Sequence, residues 1–193
     1  MNGMIIVLAG PSGAGKGRIF DEIASFRTDL RKVLSVTTRQ RRPEDYKKEN
    51  YIFISQEEFL AKVENNEFFE HEWYDGELYG TLNIPTEELE NRDLFLDKDV
   101  RGAISIKKAY PEAITIYVMP KDKETLLKRR GNRGKNRTEI AKGEIELAKK
   151  LDFLIINDNI HEAVKQIEII IECMRQCSMK NKRSIKFLDE FYD

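Results

Sequence analysis

Four short runs of nearly unbroken apolar residues punctuate the chain, at 4–9, 94–97, 114–119 and 153–156. Strands look like this when helices cover both faces of a parallel sheet, so these runs are read as its buried strands. Helical patterns fall between and after them. Behind the first run, Ile19, Phe20, Ile23, Phe26 and Leu30 recur at helical spacing. Residues 121–130 read as a helix opening at Asp122, and 161–177 as a longer one. In the longer one Val164, Ile167, Ile170, Ile171 and Met174 make a core-facing stripe, with Asp158 and Asn159 as caps.

Two regions break this alternation. Residues 33–82 contain the period-two stretches Leu34-Ser35-Val36-Thr37 and Tyr51-Ile52-Phe53-Ile54, with a short helix at about 56–65. They read as an antiparallel insert beside the main sheet. Residues 129–150 are dense in charge, with Arg129, Arg130, Arg133, Lys135 and Arg137 among Gly131 and Gly134, and suit a flexible basic cap. The run Lys180-Asn181-Lys182-Arg183 reads as a solvated patch.

At 193 residues the chain suits one α/β domain with small inserts. Its 33 basic and 34 acidic residues nearly cancel, which argues against bulk nucleic-acid or membrane binding. No stretch reaches the roughly 18 apolar residues of a membrane span, and no basic leader precedes the first strand, so a cytoplasmic location is expected. Cys173 and Cys177 are read as free thiols, since two histidines leave no zinc set of usual spacing.

The chemistry begins directly after the first strand, at Gly10-Pro11-Ser12-Gly13-Ala14-Gly15-Lys16. A glycine-rich loop between strand and helix wraps backbone N–H groups around a phosphate, and the lysine reaches the terminal phosphates. A second constellation lies in the insert: Ser35 to Pro43, then Tyr51, then Phe68-Phe69-Glu70, then Tyr79-Gly80-Thr81. Arg39 and Arg42, three apart, with tyrosine hydroxyls nearby, would clamp a second phosphate. Glu70 would accept from an N–H/NH₂ edge such as guanine presents.

Over residues 4–175 the chain resembles the guanylate kinase family, through GPSGAGK, SVTTRQRRP, the Tyr51 strand, NNEFFEHEW, LYGT, FLDKDVRGA and IINDN, in that order. The resemblance implies a P-loop NTPase-like three-layer α/β/α fold with a parallel core sheet. The core would span about 1–32, 83–128 and 151–180, a small mixed α+β GMP-binding insert about 33–82, and a helical lid about 129–150. It implies ATP-dependent phosphorylation of GMP, and of dGMP, with Mg²⁺, by a monomer or homodimer. Carried over by position, Pro11, Ser12, Gly13, Ala14, Gly15, Lys16, Gly17, Arg18 and Asn157 would bind ATP. Arg39, Arg42, Tyr51 and Tyr79 would hold the GMP phosphate, with Gly80 beside them. Ser35, Glu70, Thr81 and Asp99 would read the base. Lys16, Arg39, Arg129, Arg133 and Arg137 would serve catalysis, and Asp97 would meet the metal, mainly through water.

Three departures stand out. Gly17-Arg18 follows the loop lysine where the family has Ser or Thr, which removes a metal ligand; Arg18 either lends charge to the phosphates or is solvated. Glu139 falls where the family has a lid arginine, a loss that Arg137 would make good. Lys98 replaces an aliphatic residue and, in a buried strand, needs Asp97, Asp99 or an ATP phosphate as partner, or an open strand end. All three are expected on the ATP and metal side, with the GMP side intact. Two alternatives follow: a catalytically weak binding or interaction module, and a kinase of the same fold acting on another phosphorylated acceptor such as a ribose bisphosphate.

Overall fold

A computed structural model describes residues 3–46, 51–74, 76–84, 86–130 and 140–192. In chain order its elements are β1 (Ile5–Ala9), α1 (Lys16–Ala24), β2 (Leu30–Val33), β3 (Ser35–Thr37), β4 (Tyr51–Phe53), α2 (Gln56–Glu64), β5 (Phe68–Tyr74), β6 (Glu77–Leu82), β7 (Asp93–Lys98), α3 (Val100–Ala109), β8 (Ile114–Met119), α4 (Lys123–Arg130), α5 (Ile140–Ala148), β9 (Phe153–Ile156) and α6 (Ile160–Tyr192).

The four apolar runs become β1, β7, β8 and β9 of a five-stranded sheet, ordered β2-β7-β1-β8-β9 and parallel throughout. The fifth strand corrects the sequence reading. Leu30, expected on the first helix, stands on β2, because α1 stops at Ala24 and leaves Phe26 57 % exposed. β2 sits at the sheet edge with Arg31 and Lys32 in its centre, so it lacks the apolar signature of a two-neighbour strand.

Helices cover both faces. Ile19 and Ile23 of α1 and Ala163, Val164 and Ile167 of α6 pack with Leu8 and Phe95 on one side. Val100, Ala103 and Ile106 of α3 pack with Val7, Leu94 and Leu96 on the other. Ile19, Ile23 and Ile167 are 0 % exposed, and burial of each such side chain contributes about 1.5–3 kcal/mol. Along β7 the side chains therefore alternate, Phe95 toward α1 and Leu94 and Leu96 toward α3. That period continues into Asp97 and Lys98 and aims them at opposite faces.

At the other end of the sheet, buried Asp93 accepts from the Met4 N–H and from Arg27 and Arg175, tying β7 to α6. Asn159 caps α6 as expected, its Oδ1 accepting from the His161 N–H at 2.9 Å. The helix runs past 177 and through 180–183 to Tyr192. Among the described residues no helix is long and apolar enough to cross a membrane. Cys173 and Cys177 are exposed and unpaired.

The insert is a second sheet, ordered β4-β3-β6-β5. It is mixed rather than antiparallel: β3 and β4 pair in parallel, Ser35 opposite Tyr51, while β6 runs antiparallel to β3 and β5. The paired strands β3 and β4 lie thirteen residues apart in sequence, enough for the long crossover that a parallel pair requires. Helix α2, opened by a capping box between Ser55 and Glu58, lays Phe59 against Phe68 with ring centroids 4.3 Å apart. A β-bulge between Phe68 and Glu70 then decides which side chains meet the core domain. The extra residue lets Phe68 and His71 face Phe59 while Glu70 and Glu72 face the other way.

Candidate active site

Between the two sheets, at the carboxyl ends of β1 and β7, lies a cleft of about 1040 Å³. This is the crevice where open α/β sheets bind ligands. The glycine loop forms one end. Gly10, Gly13 and Gly15 have φ of 144°, 90° and 96°, which side chains rarely tolerate. At Gly15 space matters as well, since a Cβ there would collide with the Asn157 amide. That amide donates to the Ala14 carbonyl at 2.8 Å and holds the loop shut from below.

Lys16 opens α1 and folds back over the loop, donating to the Gly10 carbonyl at 2.6 Å and lying 3.4 Å from Asp97. Pro11, Ser12, Gly13, Gly15, Gly17, Arg18, Asp97, Arg129 and Asn157 all line this end. Ala14 is fully buried beneath the loop and does not. Arg129 donates to the Asn157 carbonyl at 3.1 Å, which brings α4 to the cleft rim. Arg18 is exposed. The expected lid residues Arg133 and Arg137, like Glu139, lie outside the described residues.

The insert builds the other end. Arg39, 8 % exposed, forks onto Asp45 and sits over the rings of Tyr51 and Phe53, its guanidinium carbon 4.8 and 5.1 Å from their centroids. The 3-10 turn Pro43–Tyr46 delivers Asp45, which also accepts from the Arg42 N–H at 2.7 Å. Hydrogen bonding to Arg39 holds the Asp45 carboxyl below its usual range, and Asp45 raises the arginine's pKa in turn. Tyr51 and Tyr79 meet edge to face, centroids 6.1 Å apart. Burial, reinforced by Asp97, pushes the Tyr51 phenol up to about 12, so its O–H stays a donor at neutral pH. Arg42 also lines the cleft.

Deeper in, Thr81 donates to Glu70 Oε1 at 2.5 Å. Lys98 corrects two expectations. Its partners are not Asp97, Asp99 or an open strand end but Ser35 Oγ at 2.8 Å, Glu70 Oε1 at 3.0 Å and Thr81 Oγ1. It therefore sits on the insert side of the cleft and not with the glycine loop. Strand alternation is the reason, since Asp97 faces α1 and Lys98 the opposite face. Gly80 belongs elsewhere too: a Cβ there would meet the Phe68 ring at 2.7 Å, so its Cα faces α2, away from Tyr79 and Thr81. Asp99 lines the cleft and caps α3, accepting from the Gly102 N–H at 2.7 Å.

Sequence reasoning passed over two residues. Asp45 carries no local motif, though an acid three residues past Arg42 is a turn signal. Glu72 faces the cleft beside Asp99; burial, then Asp99, raises its carboxyl to about 7. Its period-two relation to Glu70 was the available signal. Among the described residues no cluster of three His, Cys, Asp or Glu could hold a metal by itself.

Comparisons with known proteins agree with this architecture. Residues 2–174 match the guanylate kinase family. A guanylate kinase of Thermotoga maritima is 36 % identical over 195 residues, covering 96 % of this chain and 94 % of its own. One of Oceanobacillus iheyensis is 34 % identical, covering 88 % and 87 % respectively. The crystal structure of guanylate kinase from Anaplasma phagocytophilum superposes with a TM-score of 0.75 at 27 % identity, covering 89 % of this chain and 86 % of that one. A parallel core sheet wrapped by helices, a glycine loop held by Asn157, and sequence similarity over nearly the whole length place the chain in the guanylate kinase family.

Proposed function

We propose that this chain transfers the γ-phosphoryl group of ATP to GMP, and to dGMP, giving ADP and the nucleoside diphosphate. The observation that carries the reading is a single cleft with two unlike ends. The glycine loop and Lys16 line one, and Arg39, Arg42, Tyr51 and Tyr79 line the other, each suited to a phosphate. The base of GMP would lie toward Glu70, whose carboxylate accepts N1–H and N2–H, with Ser35, Thr81 and Asp99 around it.

In the reaction an oxygen of the GMP phosphate attacks the γ-phosphorus and the bond to the bridging oxygen of ADP breaks. The acceptor is already anionic, so no general base is required, and the protein's task is alignment and charge neutralisation. Arg39 is suited to this because Asp45 and two rings hold its guanidinium in place before the substrate arrives. Arg129, with Arg133 and Arg137 of the lid, would add charge over the travelling group and exclude competing water.

ATP would come with Mg²⁺. Such ions take one or two carboxylates, substrate phosphates and several waters, and Asp97 beside Lys16 fits that modest demand. When bound, the ion neutralises phosphate charge. Gly17 adds no hydroxyl to the set.

The test is a nucleotide panel. Protein with MgATP should release ADP when GMP is added, and far less with AMP, CMP or UMP. Tight GMP binding with no turnover would leave only a binding module, and turnover on a ribose bisphosphate but not on GMP would reassign the acceptor.

A further inference from the structure

Lys98 is a cation inside the part of the cleft assigned to the base, bonded to three partners there. Its side chain is 8 % exposed, against 13 % for Glu70. An ammonium has three N–H donors and no lone pair. All three donors are used, on Ser35 Oγ, Glu70 Oε1 and Thr81 Oγ1. Each partner must therefore accept.

That requirement sets the direction of every other bond in the group. Thr81 accepts from Lys98 and spends its own hydrogen on Glu70 Oε1. Ser35 also accepts, so its O–H is a donor for the cleft that it lines. Glu70 takes two donors on Oε1, leaving Oε2 as an acceptor facing the same cleft among the described residues. A second lone pair of Ser35 stays open as well, so the fixed member of the group is Glu70, whose Oε1 has both lone pairs occupied.

We infer that Lys98 is a positioning residue for base specificity: with Thr81 it occupies Glu70 Oε1 and so leaves Oε2 as the acceptor for the base, beside the Ser35 hydroxyl. This rests on the proposed GMP reading and deepens it. The resulting donor–acceptor pair complements the edge of a 6-oxopurine, where O6 accepts and N1–H donates. A 6-aminopurine presents the reverse, an N6–H donor beside an N1 acceptor, and sets the N1 lone pair against the carboxylate. Such mismatches of buried polar groups discriminate far better than shape alone.

The experiment compares the wild-type protein with Lys98→Met and Lys98→Gln, the second keeping an N–H donor without the charge. Steady-state kinetics are taken with GMP, IMP and AMP, alongside thermal melts to establish folding. IMP carries the 6-oxo edge without the 2-amino group. In either folded variant kcat/KM should fall at least about tenfold for GMP and for IMP alike, chiefly through KM. AMP should be unchanged or improved, and KM for ATP should not move.

A second readout separates this role from plain packing. The loss should fall on KM for GMP and for IMP, while kcat stays close to that of the wild type. An unchanged GMP-to-AMP ratio in both folded variants would overturn the inference. So would a gain in GMP activity, which would make the ammonium a plug that the base must displace. Failure of the functional reading looks different: wild-type protein that neither binds nor phosphorylates GMP removes both.

Discussion

Arg39 and Asp45 form a forked pair, NH1 to Oδ2 at 2.6 Å and NH2 to Oδ1 at 2.9 Å, with side chains only 8 % and 5 % exposed. The carboxylate fixes the plane of the guanidinium, and the Tyr51 ring, 4.8 Å from its carbon, supports one face. A guanidinium has five N–H donors, and the bonds to Asp45 and the Gln40 carbonyl use three. The arginine is thus held by one anion with two N–H donors beyond those bonds.

Replacing Asp45 with Asn keeps the size and removes the charge. The fork loosens, and Arg39 must be ordered by the substrate itself. KM for GMP should rise about tenfold, in line with the loss of a charge-assisted contact, with KM for ATP unchanged. Steady-state kinetics with each nucleotide varied in turn check this; equal effects on both substrates would show that Asp45 supports the fold and not the second anion site.

Gly17 is open to repair. A Cβ there meets nothing within 4 Å, and its φ lies outside the left-handed region. Gly17→Ser should fold as well as the parent and restore an oxygen ligand next to Lys16. Half-saturation by Mg²⁺ should shift to lower concentration, or kcat rise, with KM for GMP unmoved. A titration that superposes on the wild type would mean that water already fills the role.

Glu72 ties stability to pH. Burial, then the neighbouring Asp99, holds its carboxyl protonated up to about 7, well above the ordinary glutamate range. An unfolded glutamate has lost its proton long before that, so in this window the folded state binds more protons. Stability therefore falls as pH rises from the ordinary glutamate range to about 7. Glu72→Gln should raise the melting temperature at pH 8 and change it little at pH 5. Equal shifts at the two pH values would rule out this group as the source.

The parallel sheet was legible because each central strand carries a dense apolar run that nothing but double-sided burial explains. The glycine loop was legible for a similar reason: its residues are local in sequence, and positive φ and phosphate contact demand glycine there. Edge strand β2 was not, since a strand with one neighbour tolerates Arg31 and Lys32 at its centre. The bulge at Phe68–Glu70 was also silent, because one extra residue reverses which side chains face the cleft and no composition marks it.

By itself, then, the chain's order of residues determined the layered α/β core, the glycine loop and the likeness that names the family. Only the tertiary structure decided where Lys98 goes. Its nearest acids in sequence are Asp97 and Asp99, but strand alternation turns it away from Asp97, and Asp99 is engaged in capping α3. The partners it finds, Ser35, Glu70 and Thr81, lie on three different strands that only the folded insert brings together.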